Sequence, residues 1–561
     1  MKNLYRIGVS LLLLICATAV SAQTSIVREP WYESAVDSTT ITFTWNTTGA
    51  TQSYLRAGLT RSYELGTQDA GNGLTHSVTL AGLTPSTTYA VQLVSGSDTV
   101  SIFSSTASDY RSTGAIEVYF NRSADTTYKG ELTPVLYNQN YMALLHQKVL
   151  GATASIDLAV YSYSGVTGDT VTAWLIAAKQ RGIKVRLIAD SISAFDSPPY
   201  LALAAVGIPT ILNSFGSNAN VASHIHHNKF IAIDGRADDG ANVWILSGSW
   251  NLSDKQTTTD YQNVIHFQDL SLARTFEREF DEEWGSAGDL PDARYARFST
   301  NKHDTTARSF NIHGTPVHLF FSPNGGAFLG IDSTLARAQR QILYALFVFT
   351  RQELAQTLIA DHQAGIDIHG IDNGTDKYEQ TPVLQTAGID ALAFIEPGSI
   401  LLHHKYAILD VESPSAAVIT GSYNWSVSAE DENNENLLII QSNSVAEQYV
   451  QEWLQRYHEN GGTQAINIPL SVSIGYDVAR TASVYPNPLH AGAKVTWTQS
   501  HPGTDRIVIT DVTGRTVAQE TFVVSSGNIE HELPAFARAG VYWVMIEHDG
   551  TRIAVRVVVL R

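Results

Sequence analysis

A strand–helix–strand passage leading into a histidine motif occurs twice along this chain, and that recurrence limits the fold more than any other feature of the sequence. In the first copy IDLAVYSY (Ile156–Tyr163) has the unbroken apolar character of a buried strand. TVTAWLIAAKQRG (Thr170–Gly182) has helical periodicity and closes on a glycine, and IKVRLIAD (Ile183–Asp190) is the next strand. In the second copy ILYALFVF (Ile342–Phe349), the helix RQELAQTLIADHQAG and IDIHGIDNG (Ile366–Gly374) repeat that order. Strands separated by a helix build an α/β fold. The expected architecture is therefore two duplicated α/β/α lobes, residues 115–285 and 314–462, with pseudo-two-fold symmetry and a polar linker, 286–313, between them. Each lobe ends on a carboxylate-rich helix, FEREFDEEW (Phe276–Trp284) and EQYVQEWLQRY (Glu447–Tyr457). Their charges are expected to face solvent while Phe280, Trp284, Trp453 and Tyr457 pack inward.

A chain of 561 residues exceeds one hydrophobic core, and the flanks differ in texture from the lobes. Residues 24–105 read as a small all-β sandwich, with TTITFTW, HSVTL and TYAVQLVS separated by Gly/Asn/Ser turns. Residues 472–561 form another strand-rich module. At the amino terminus Lys2 and Arg6, the apolar run Val9–Val20 and the small residues before position 23 make residues 1–22 a secretory signal. Its removal takes away Cys16, the single cysteine, so the mature chain has no disulfide, thiol nucleophile or thiolate metal site. The formal charge of -18 becomes -20 once Lys2 and Arg6 are lost, an acidity that opposes long-range attraction of polyanions.

The chemistry lies in HIHHNKFIAIDG and LLHHKYAILD. They carry His227-x-Lys229-x4-Asp234 and His403-x-Lys405-x4-Asp410, followed by Gly248-Ser249-Trp250-Asn251 and Gly421-Ser422-Tyr423-Asn424. Residues i and i+2 of a strand share a face, so each histidine projects beside its lysine. Glycine before serine permits close backbone approach, presenting a hydroxyl and an amide to the same cleft. Lysine, asparagine and serine together can surround phosphoryl oxygens. Covalent cleavage of a phosphodiester needs one imidazole to attack phosphorus and one to protonate the leaving oxygen, which two facing copies provide. His224, His226, His227, His403 and His404 might be taken for a zinc cluster. A lysine two positions after each motif histidine repels a cation, however, and the aspartates follow at strand-crossing distance. Neither a metal nor a cofactor is expected.

In both copies these motifs resemble the phospholipase D superfamily, over about residues 115–460. The resemblance implies a phosphohistidine intermediate, released by water or an alcohol. It implies a catalytic set of His227, His403, Lys229, Lys405, Asp234, Asp410 and Glu435, with Ser249, Asn251, Ser422 and Asn424 on the substrate; the two aspartates read as buried orienting carboxylates. Glu435 stands thirteen residues after Ser422, and the same count from Ser249 reaches Gln262. A carboxylate at Nδ1 raises an imidazole's pKa and favours an acid. With Glu435 serving His403 and Gln262 serving His227, the expectation is that His227 attacks and His403 protonates.

The Leu80…Leu83-x-Pro85-x-Thr87-x-Tyr89 pattern resembles a fibronectin type III sandwich, in which Tyr89 anchors a strand entry and Trp45 fills the core. Tyr485-Pro486-Asn487-Pro488, Asp511-x-x-Gly514 and Gly540-x-Tyr542 resemble the C-terminal sorting domain of the type IX secretion system. Together these features describe a metal-independent phosphodiesterase, secreted or held at the outer-membrane surface, monomeric, with a phosphodiester substrate and the type IX machinery as partners. Phospholipid is the favoured substrate, with Tyr200, Phe394 and Trp425 as candidates for an apolar rim. GSYNWSVSAEDENNENLLII resembles the nuclease branch and keeps a secreted endonuclease open; a non-catalytic surface binder is the third reading.

Overall fold

The computed structural model describes residues 24–127, 133–217, 224–374, 378–394, 399–466, 468, 482–485, 494–499, 503–511, 515–525, 527–534, 540–548 and 551–559. The secretory signal expected at residues 1–22 lies outside them, as do Pro486, Asn487, Pro488 and Gly514. Two compact units divide the chain near residue 468.

Alternating burial along TTITFTW draws that segment into a long strand. β1 (Glu33–Val36), β2 (Thr40–Gly58), β3 (Gly66–Ala81), β4 (Thr88–Ser95) and β5 (Asp98–Ser105) form one antiparallel sheet. β2 shifts register after Asn46, pairing with β1 over its first half and with β4 over its second. Trp45 is buried in this core and its Nε1–H donates to Ser95 Oγ at 3.0 Å. The Tyr89 hydroxyl accepts the Thr84 N–H at 2.9 Å, pinning the entry to β4. Trp31 stacks on His318 with ring centroids 3.7 Å apart, seating this module on the second lobe.

The first lobe is built on β6 (Ile116–Phe120), β7 (Ser155–Val160), β8 (Lys184–Ala189), β9 (Thr210–Leu212), β10 (Lys229–Ile233), β11 (Trp244–Gly248) and β12 (Asn263–Phe267), in the order β6-β12-β11-β10-β7-β8-β9. The second uses β13 (Ser309–Ile312), β14 (Thr315–Ser322), β15 (Gln341–Leu346), β16 (Asp367–Asp372), β17 (Asp390–Ala393), β18 (Lys405–Leu409), β19 (Ala417–Gly421) and β20 (Glu435–Ile440), ordered β13-β14-β20-β19-β18-β15-β16-β17. Strand for strand the two sheets coincide, with β13 added at one edge. Every residue of β7, β10, β15 and β18 is buried, which demands helices over both faces. β10 and β18 run antiparallel to β7 and β15, so each histidine motif opens where those parallel strands end.

The helices of the first lobe are α1 (Tyr141–Gly151), α2 (Gly165–Gln180), α3 (Pro198–Ala205), α4 (Asp254–Thr258) and α5 (Leu270–Trp284). Those of the second are α6 (Ala327–Leu335), α7 (Gln352–Gln363), α8 (Thr381–Thr386), α9 (Val427–Asp431) and α10 (Asn443–Glu459). α2 starts before the periodic stretch because the Asp254 carboxylate accepts the Val166 and Thr167 N–H groups, capping the helix from α4. The carboxylates of α5 and α10 overturn the solvent-facing expectation: Glu277, Glu279, Glu283, Glu447 and Glu452 are all buried. They meet cations and ring N–H groups brought from elsewhere, Glu277 with Arg186 at 2.9 Å, Glu279 with Lys302, Glu283 with His226 at 2.9 Å. Nor is 286–313 a loose linker. Ala296, Phe298, Phe310 and Ile312 join one hydrophobic core that also takes Phe230 and Phe276 from the first lobe and Tyr406 and Trp453 from the second. The lobes therefore share an interior.

The second unit has β21 (Ala482–Tyr485), β22 (Lys494–Gln499) and β25 (Gly527–Glu532) in one sheet. Its other sheet holds β23 (Gly503–Asp511), β24 (Thr516–Val524), β26 (Gly540–His548) and β27 (Thr551–Val559). Val495 and Trp497 from the first sheet pack with Ile507, Ile509 and Val544 from the second in a core of their own, where Trp497 Nε1–H donates to Asp505 at 2.8 Å.

Candidate active site

At the mouth of each sheet a strand turns over a glycine. Gly248 (φ +140°) and Gly421 (φ +130°) lie so close to the neighbouring strand that a Cβ would overlap the carbonyl oxygens of Asn263 and Asn436. This brings Ser249 and Ser422 against β12 and β20. The serine hydroxyls were expected on the substrate. Instead Ser249 Oγ donates to Gln262 Oε1 and Ser422 Oγ donates to Glu435 Oε2, each at 2.7 Å. Both also accept a backbone N–H, from Asn263 and Asn436, at 3.0 Å. Both serines are fully buried, and each orients the next side chain in the network.

Those next side chains cross between lobes. His227 Nδ1 of the first lobe donates to Glu435 of the second at 2.8 Å. His403 Nδ1 of the second lobe lies 3.1 Å from Gln262 Oε1 and 3.1 Å from the Ser249 carbonyl oxygen, both of the first. The expected pairing of Glu435 with His403, and Gln262 with His227, is thus reversed. A carbonyl oxygen only accepts, so His403 Nδ1 carries hydrogen and Nε2 is the open nitrogen. The same follows for His227 from a carboxylate partner. Each ring is thus held at Nδ1 by the opposite lobe.

Each lysine folds back over its own histidine: Lys229 Nζ donates to the His227 carbonyl at 2.9 Å, and Lys405 Nζ to the His403 carbonyl at 3.0 Å, with His403 Nε2 3.5 Å away. Two aromatic rings complete the walls. Tyr161 lies edge-on to His227 at 5.0 Å and under Lys229; Phe347 tilts against His403 at 4.6 Å and under Lys405. Sequence reasoning missed both rings, although they occupy the same position after β7 and β15. Asn251 and Asn424 each keep a buried side-chain oxygen without a hydrogen-bond partner; toward a phosphoryl oxygen each amide would have to present its Nδ2–H.

Burial governs the charges. It pulls Lys229 down to about 7 against the attraction of Glu435 and Asp190, and it pushes the Glu435 carboxyl up to about 8 against Lys229 and its Ser422 hydrogen bond. Burial, then the lysine charges, hold both His227 and His403 well below the ordinary imidazole value. Burial and Lys229 depress Lys405. An anion placed among these groups relieves the repulsion between the lysines, so the site favours a phosphate.

Asp234 and Asp410, counted among the catalytic candidates, are not there. Asp234 accepts the N–H groups of Thr153, Ala154 and Ser155, and Asp410 those of Gln339, Arg340 and Gln341. They clamp the entries to β7 and β15, seven residues beyond the histidines and roughly 20 Å along the strand. The rim candidates fail as well: Tyr200, Phe394 and Trp425 are buried core. The exposed apolar groups near the mouth are Ile192 and Phe195, 63% and 60% exposed, on the loop after β8. That loop begins at Asp190, whose carboxylate accepts the N–H groups of both Ile192 and His226, next to His227.

Among family models, one described as "Cardiolipin synthase, PLD-like domain" matches residues 145–284 and 331–457, and one described as "Secretion system C-terminal sorting domain" matches 483–560. The chain is 30% identical over 147 residues to a phospholipase D of Rickettsia felis, spanning 26% of this chain and 70% of that protein. It is 31% identical over 136 residues to a mitochondrial cardiolipin hydrolase of Xenopus tropicalis, spanning 24% and 62%. Of solved structures, it is similar to Nuc, a phospholipase D family member from Salmonella typhimurium (23% identity, TM-score 0.24, 27% of this chain and 99% of that one). It is also similar to phosphatidylserine synthase from Haemophilus influenzae (10%, TM-score 0.44, 62% and 87%).

Proposed function

This chain belongs to the phospholipase D superfamily and ends in a type IX sorting domain; from that premise we propose that it is a secreted hydrolase of phospholipid phosphodiesters working through a phosphohistidine on His227. The observation that carries the reading is the crossed pairing of the two imidazoles, each held at Nδ1 by the opposite lobe.

The reaction has two displacements. His227 Nε2 attacks phosphorus as the bond to the leaving alkoxide breaks, and His403, which takes up a second proton at Nε2 when the phosphodiester anion binds beside it, delivers that proton to the leaving oxygen. Phosphorylated at Nε2 and protonated at Nδ1, the His227 ring gains positive character, which the Glu435 carboxylate stabilises. A neutral Gln262 gives no such support to His403, which suits a group that must release its proton. Water then enters the vacated side, surrenders a proton to His403 and displaces His227 from phosphorus. Lys229, Lys405, Asn251 and Asn424 hold the phosphoryl oxygens. The roles are those expected from the sequence, for the opposite electrostatic reason.

Phospholipid is favoured by the exposed Ile192 and Phe195 beside the mouth, which suit a lipid–water interface. The acidic chain and the names of its curated relatives point the same way. Export uses the signal at residues 1–22 and the sorting domain, leaving the enzyme secreted or at the outer-membrane surface. The nuclease-like GSYNWSVSAEDENNENLLII supports the second reading, an endonuclease with the same chemistry. Mature protein incubated with phosphatidylcholine vesicles or plasmid DNA, each with excess chelator, tests both. Choline release is expected; nicking without choline release reverses the substrate order, and loss of turnover on chelation removes the metal-independent mechanism.

A further inference from the structure

The residue between histidine and lysine in each motif points to the opposite strand face, into the interior the lobes share. In the first lobe Asn228 Oδ1 accepts from Asn436 Nδ2 at 3.1 Å, and Asn228 Nδ2 donates to Glu283 on α5 at 3.3 Å. The same carboxylate accepts from Asn434 at 2.6 Å and from His226 Nε2 at 2.9 Å. In the second lobe His404 Nε2 donates to Glu452 on α10 at 3.2 Å, and His404 Nδ1 meets Asn263 Oδ1 at 3.2 Å. Asn263 Nδ2 is held in turn by Thr420 and Tyr449, both at 3.0 Å. All six residues of the two relays are almost wholly buried.

Asn436 directly follows Glu435, and Asn263 directly follows Gln262. Neighbouring strand residues face opposite ways, so fixing the inward asparagine fixes the outward side chain that holds an imidazole. We infer that Glu283 and Glu452 are positioning residues for the reaction. Glu283, through Asn228 and Asn436, sets Glu435 against the nucleophile His227; Glu452, through His404 and Asn263, sets Gln262 against the acid His403. The inference rests on those roles of the two histidines, and nothing in the paired motifs assigns the helix carboxylates.

The two relays have different kinetic signatures. Acid catalysis matters for a poor leaving group such as an alkyl alcohol and little for p-nitrophenol. Glu452→Gln is expected to lower kcat/KM, which reports the steps up to departure of the leaving group, about 100-fold for an alkyl phosphodiester while sparing kcat/KM for a p-nitrophenyl diester, because a small misplacement of a catalytic group has that cost. Glu283→Gln is expected to slow both substrates alike. His404→Leu should behave as Glu452→Gln, and His404→Asn, which copies the first lobe, should recover most of the alkyl turnover. Equal loss on both substrates in Glu452→Gln and His404→Leu, or no loss in folded protein, overturns the inference. If Glu452→Gln does not fold, Asn263→Ala carries the same comparison. His403→Ala is the control: if it lowers kcat/KM equally for both substrates, the acid role of His403 fails rather than the relay.

Discussion

At the residue scale the site is a buried cluster of two imidazoles, two ammonium groups and one carboxyl, and its titration follows from burial. Burial holds Lys229 near 7, so its charge is present below that pH and lost above it. Binding of dimethyl phosphate, whose own charge is constant, is expected to weaken as pH rises through about 7, measured by calorimetry. A bound anion holds the lysine proton, so the alkaline limb of kcat lies higher than that of kcat/KM. Enzyme quenched in alkaline denaturant during turnover of a slow substrate should carry the substrate's remaining phosphoryl ester on His227; the same group on His403 reverses the assignment. Glu435→Gln should lower kcat about 100-fold by removing the charge facing the phosphorylated ring. The strand period made the His–Lys pairs legible in the sequence. It did not reveal which lobe each partner serves, because a count of thirteen residues follows the chain whereas the partners His227 and Glu435 are 208 residues apart.

At the scale of elements, conserving a strand's entry matters separately from the chemistry at its other end. Asp234 and Asp410 both have left-handed backbone (φ +53° and +50°) and collect three amides each. Asp234→Ala strands those donors and is expected to cost about 3 kcal/mol of stability, seen as a lowered denaturant midpoint, with kcat of the folded protein unchanged. A fall in kcat without loss of stability would return this aspartate to the site. The buried strands and their helices were legible because apolar runs and helical periodicity are local. The burial of the α5 and α10 carboxylates was not, since Arg186, His226, Lys302 and His404 reach them from distant segments.

At the scale of the molecule the lobes share one interior while the sorting domain has its own core. A chain ending at Ile468 is expected to keep its turnover number within about twofold, since a domain with its own core folds alone, and to lose export in a type IX-secreting cell. Activity lost on that truncation would tie the tail to catalysis. In the N-terminal module TTITFTW was legible from its alternation, whereas the run of β2 on to Gly58 was not, because the register shift after Asn46 breaks the period.

The unequal partners of the two rings have one more consequence. A carboxylate stands behind one imidazole and an amide behind the other, so the duplicated halves are not interchangeable and the cleft has a direction. With His227 as the proposed nucleophile and His403 as the proposed acid, an unsymmetrical diester is expected to enter with one particular ester oxygen on the amide-backed side and to lose the same P–O bond in every turnover.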